Sequence, residues 1–96
     1  MHVVTRRYSG PGAKDLCDLV VQRKDEVERL MRGVNGFVRY VLIRVDDEWF
    51  SATICQDKSG CDESVQIAKD WVSKNASSTG VGAPQVTEGE VVLQFL

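Results

Sequence analysis

The 96 residues carry a formal net charge of -2, with 43% hydrophobic and 27% charged side chains. That length supports one domain and one core, burying roughly 60–65% of the unfolded chain's surface, and the balance is that of an ordinary globular protein. Arginines scattered along a net negative chain, with Arg6–Arg7 the one adjacent pair, argue against a nucleic-acid binder, and no apolar run approaches the ~20 residues of a membrane-spanning helix.

Cys17, Cys55 and Cys61 are odd in number and lack C-x-x-C spacing, so free, buried thiols in a reducing compartment are expected. A disulfide between Cys55 and Cys61 has no oxidising compartment to support it. The opening MHVVTRRYSG has neither the basic leader nor the apolar segment of a signal peptide and reads as a strand. A cytoplasmic protein with no membrane or nucleic-acid partner is the expectation.

His2 to Tyr8 is short, β-rich and closed by Ser9-Gly10-Pro11-Gly12, which predicts strand one. From Ala13 the apolar period lengthens. Leu16, Leu19, Val20, Val27, Leu30, Met31 and Val34 form one stripe, with charged residues opposite, and predict a single long amphipathic helix of about five turns. Arg23 lies beside that stripe as a snorkelling or pocket residue.

Gly36 to Cys55 then reads as two strands around the acidic turn Asp46-Asp47-Glu48, apolar on both faces as for strands covered on both sides. Strict alternation puts Phe37, Val41, Ile43 and Val45 on one face of strand two, and Val38, Tyr40 and Leu42 on the other. Strand three spans Trp49 to Gln56. After a polar turn at Asp57–Gly60, a second helix is predicted from about Cys61 to Ala76, with Val65, Ala68, Val72 and Ala76 as its apolar stripe. The Gly-rich stretch to Pro84 is a loop. Gln85 to Leu96 is strand four, with Glu88-Gly89-Glu90 a bulge or irregular start.

The order strand, helix, strand, strand, helix, strand predicts an α+β, ferredoxin-like βαββαβ domain over residues 1–96. Its four-stranded antiparallel sheet has strands one and three in the centre and both helices on one face. The other face would expose either Tyr40 and Leu42 or Val41 and Ile43, a patch that monomers rarely leave open. Two copies packing sheet on sheet around a twofold axis would cover it, so a homodimer is expected.

Val34-Asn35-Gly36-Phe37-Val38 is similar to the Pro-Gly-Phe approach to strand two in the dimeric α/β-barrel superfamily. Strand three running into Gln56-Asp57-Lys58 and the helical segment Ala68-Lys69-Asp70-Trp71-Val72 resemble it too. The superfamily includes antibiotic-biosynthesis-monooxygenase-like proteins, cofactor-free oxygenases of aromatic polyketides, haem-degrading enzymes, decarboxylases and proteins of no known activity. The resemblance implies a pocket between helices and sheet lined by Asn, Trp and His or Tyr. The one histidine here, His2, opens strand one instead of standing on the second helix, which argues against haem degradation.

Trp71 and Asn75 are four apart on one helix face, an indole wall and an amide suited to a flat ligand, or else core and helix cap. Arg6, Arg39 and Arg44 stand on strands, where an arginine aimed into a pocket would bind a carboxylate or enolate, and one at an edge would be a solvated charge. Tyr40 is a ligand donor or an interface aromatic. The acidic turn is expected to be solvated rather than metal-binding. No catalytic set is assigned, since His2 is the one histidine, and no cofactor is expected. Two functions follow: a dimeric barrel binding a small apolar or aromatic ligand without a reaction, or a cofactor-independent monooxygenase-like enzyme acting on an aromatic or polyketide-type substrate.

Overall fold

A computed structural model of the chain describes residues 1–96. The elements are β1 (His2–Tyr8), α1 (Ala13–Gln22), α2 (Lys24–Arg32), β2 (Phe37–Val45), β3 (Glu48–Cys55), α3 (Lys58–Asn75), a 3-10 turn at Ser77–Thr79, and β4 (Gln85–Glu90). The sheet is antiparallel throughout, in the order β2-β3-β1-β4. This is the ferredoxin-like arrangement expected from the element order, with β1 and β3 in the middle.

Alternation along the two central strands decides what faces the helices. Val4, Arg6 and Tyr8 of β1 are buried, as are Trp49, Ser51, Thr53 and Cys55 of β3. Register pairs Tyr8 with Trp49, Arg6 with Ser51, and Val4 with Thr53, so these seven side chains share one face. Tyr8 and Trp49 stack with ring centroids 4.6 Å apart, and the Trp49 indole N–H donates to the carbonyl of Ala13 at 2.9 Å, fixing the start of α1 on the sheet. Leu16, Cys17, Val20, Trp71 and Ala76 complete this core, and a smaller one gathers Val4, Val34, Cys55 and Cys61.

The opposite face carries no helix. Val41 pairs with Ala52 and Ile43 with Phe50 on it. Val41, Ile43 and Val45 are 42%, 44% and 56% exposed. Tyr40 and Leu42 therefore look toward the helices, which settles the choice that alternation left open. A register shift between Phe37 and Arg39 then moves Phe37 to the helix side, against Val34, Cys55 and Cys61, and not beside Val41 as strict alternation predicts.

Three boundaries differ from the sequence expectation. The first helix is two helices, because Arg23 (φ -107°, ψ 33°) leaves helical geometry between α1 and α2. Gln22 to Glu26 are five polar residues in a row, so the apolar stripe has nothing to bury at that point and the chain changes direction there. The helix α3 begins three residues earlier than expected, since Asp57 is its cap and accepts from the Gly60 N–H at 3.4 Å. Finally, β4 stops at Glu90 instead of running to Leu96. Glu90 pairs with His2, and the last contact between the two strands is the Val91 N–H to Met1 carbonyl bond at 2.9 Å. Val92, Leu93, Phe95 and Leu96 stand exposed beyond it.

Candidate functional site

Because β1 alternates strictly, placing Val4 and Tyr8 in the core places Arg6 there too. Arg6 is 3% exposed, and its Nη1 reaches only the Ser64 carbonyl, at 3.5 Å, the limit of a hydrogen bond. The seven ion pairs of the chain all involve other residues. Burial pushes the Tyr8 and Tyr40 hydroxyls above their ordinary pKa, and the Arg6 charge pulls both partly back. Tyr40 lies near Arg6 and Ser51, yet neither neighbour makes a well-formed hydrogen bond with it, and the buried hydroxyl oxygens of Ser51 and Thr53 have no partner. Arg6, Tyr8, Tyr40, Trp49, Trp71 and Met31 enclose a cavity of about 30 Å³, room for one water or one small polar group.

Beside it opens a far larger groove of about 630 Å³, between the α1–α2 junction and the edge strand β2. On its helical side stands α2, KDEVERLMR, whose one fully buried residue is Met31. Val21, Phe37, Val38 and Leu42 line it, and Val20, Val27, Met31 and Tyr40 form a wall common to groove and inner cavity. Exposed Lys24, Arg32, Arg39, Asp25 and Glu28 ring the opening. Arg32 pairs with Glu28 at 2.7 Å and lies 5.9 Å from the Phe37 ring centroid.

Trp71 and Asn75 are engaged in a different way. The Trp71 indole N–H donates to Glu26 Oε2 at 2.7 Å, and Asn75 Nδ2 donates to the Trp71 carbonyl at 3.0 Å. Arg23 sits 5.3 Å from the Trp71 ring centroid, donating to Asn75 Oδ1 at 2.9 Å and to Glu26 Oε1 at 2.6 and 3.2 Å. The hydrogen bonds from Trp71 and then Arg23 hold the Glu26 carboxyl below its ordinary pKa. Both ends of the Asn75 amide are thus occupied within the protein.

Of the six candidates, Arg6, Tyr40 and Trp71 meet around the inner cavity, Arg39 stands at the groove opening, and Asn75 and Arg44 lie outside both, Arg44 pairing with Asp18 at 3.0 Å. Tyr40 faces the helices and not an outer interface. Ser51 and Thr53 share the buried face of β3, and their alternation between Trp49 and Cys55 in the sequence is the signal that polar groups lie on it. Met31 and Glu26 gave no such signal.

The remaining features lie elsewhere. His2 pairs with Cys55, four residues along β1 from Arg6 and about 13 Å away. Cys61 donates to the His2 carbonyl at 3.3 Å, and burial, followed by the nearby Cys61, pushes the Cys55 thiol up to about 11. In the acidic turn, Asp46 has φ 58° and Glu48 pairs with Arg7 at 3.0 Å. No helix is long and apolar enough to cross a membrane.

No family model matches the sequence, and no curated protein matches it. Solved structures do match. The NE2512 protein of unknown function from Nitrosomonas europaea superposes with a TM-score of 0.71 at 14% identity, over 99% of this chain and 91% of that one. A dimeric ferredoxin-like protein from an uncultured marine organism gives 0.71 at 12% identity, over 98% and 96%. SnoaB, a cofactor-independent oxygenase from Streptomyces nogalater, gives 0.66 at 15% identity, over 97% and 94%. At such identities the likeness carries the fold: this chain has the α+β ferredoxin-like fold found in dimeric ferredoxin-like and antibiotic-biosynthesis-monooxygenase-like proteins.

Proposed function

We propose that this protein is a cytoplasmic homodimer, joined through its helix-free sheet faces, in which each subunit binds a small apolar or aromatic ligand without transforming it. The groove between the α1–α2 junction and β2 carries this reading. At about 630 Å³ it falls within the ~300–1,000 Å³ of small-molecule sites, and its apolar walls with a few polar groups are what such sites need. The dimer is supported by the apolar row Val41, Ile43 and Val45 beside Phe50, Ala52 and Ile54 on the uncovered face. It is supported also by the marine ferredoxin-like proteins of the same fold, which are described as dimeric. Three free, buried thiols fit a reducing compartment.

A second reading, a cofactor-independent oxygenase acting on an aromatic or polyketide-type substrate, is favoured by the likeness to SnoaB. That chemistry needs a base against the substrate. Asp25 and Glu28 at the groove are exposed, Glu28 is paired with Arg32, and Glu26 is made a weaker base by Trp71 and Arg23. Binding without turnover is therefore the reading the geometry favours.

Native mass spectrometry on the protein as purified tests both claims. The expected mass is that of two chains, each holding one small molecule. A single bare chain at micromolar concentration overturns the dimer, and a bare dimer that takes up none of a series of bicyclic aromatic probes overturns the ligand.

A further inference from the structure

Arg6 is the one lysine or arginine buried in the chain, and it is buried without a carboxylate. A guanidinium cannot shed its proton to escape that cost, and a buried charge is ordinarily paired. The side chains around it do not supply an anion. Tyr8 and Tyr40 stay protonated at neutral pH, and Ser51 and Thr53 contribute neutral hydroxyls whose oxygens have no partner. Arg6, Tyr8 and Tyr40 thus line the inner cavity, with Ser51 beside Arg6 across the strand register, and the one hydrogen bond that the Arg6 side chain makes is the long one to the Ser64 carbonyl.

We propose that Arg6 anchors the ligand of this groove, and that the ligand is an organic acid with a flat apolar body and one carboxylate. This inference rests on the groove being a binding site and names the class of molecule it selects. The body fills the space between the α1–α2 junction and β2, and the carboxylate passes the common wall to reach Arg6. Met31 and Tyr40 belong to that wall, and an unbranched methionine adapts readily to such a gap. Seated there, the carboxylate takes the planar guanidinium fork and the Tyr40 hydroxyl as donors, both of which line the cavity. Around the opening, Lys24, Arg32 and Arg39 outnumber Asp25 and Glu28 by three to two, so the approach of an anion is not opposed.

Titration calorimetry with 2-naphthoate and its neutral methyl ester tests the proposal on the full chain at neutral pH. Naphthoate is expected to bind roughly 10–100-fold more tightly than the ester, the range of a charge-assisted hydrogen-bonded pair. Arg6→Met is expected to erase that preference, naphthoate falling to the affinity of the ester. Arg6→Lys, which keeps the charge if the methionine variant fails to fold, is expected to retain part of it. Equal affinity of the native protein for both probes, or an undiminished preference in either variant, overturns the role of Arg6 and leaves the groove standing. Binding of neither probe overturns the groove and the anchor together.

Discussion

Trp71 and Glu26 are joined by a 2.7 Å bond from indole N–H to carboxylate that ties α3 to α2. Arg23, at the break between α1 and α2, binds the same carboxylate and reaches Asn75, so one ion-paired knot holds all three helices in place. Trp71 lines the inner cavity while its nitrogen serves this knot.

The knot makes stability depend on pH in a definite direction. The folded pKa of Glu26 lies below its ordinary 4.5, so its contribution is complete above about pH 4.5 and is lost as pH falls through the folded value. Glu26→Gln is expected to flatten the acid limb of a Tm-versus-pH curve measured from pH 7 down to 2. Parallel curves for the two proteins would remove Glu26 from this role.

Cys55 gives the opposite limb. Its thiol is raised from 9.0 to about 11 by burial first and Cys61 second. The unfolded chain therefore loses this proton before the folded one, and stability falls between about pH 9 and 11. Cys55→Ala should reduce the alkaline slope of Tm in that window. At pH 8 the native protein should take up no alkylating reagent at Cys17, Cys55 or Cys61, all three being free and buried, and should label at all three in denaturant. Rapid native labelling of Cys55 would contradict its enclosure.

Ile43 pairs with Phe50 on the helix-free face and is 44% exposed. Ile43→Glu adds a charge there without touching the core, and is expected to convert the proposed dimer to monomer by light scattering at micromolar concentration, with helix content retained. A dimer unaffected by this change would place the interface elsewhere.

Gly60 tests the packing of the first turn of α3 on β3. A Cβ added there would lie 2.5 Å from the Asn35 carbonyl and 2.9 Å from Cys55 Cβ, with backbone on one side and a buried side chain on the other. Gly60→Ala is expected to cost about 1–3 kcal/mol in urea unfolding, as overpacked sites do. An unchanged midpoint would show that the Asn35 loop yields.

Periodicity alone determined the element order and hence the ferredoxin-like topology. A two-residue repeat in β1 and β3 and a helical repeat in the stretches between admit few right-handed arrangements. Composition likewise made Cys17, Cys55 and Cys61 buried thiols. Sequence could not decide which face of β2 the helices take, because both faces are apolar and a register shift after Phe37 resets the count. Nor could it end β4 at Glu90, since Val91 to Leu96 has the composition of a strand, and only the register against β1, with Glu90 opposite His2, shows where pairing stops. The candidate site divides in the same way. Residue type and helical spacing mark Arg6, Tyr40 and Trp71 as candidates beside Arg39, Arg44 and Asn75, but whether Arg6 meets a carboxylate is decided by what α3 and β3 bring against it. They bring the Ser64 carbonyl and Ser51, and no negative charge.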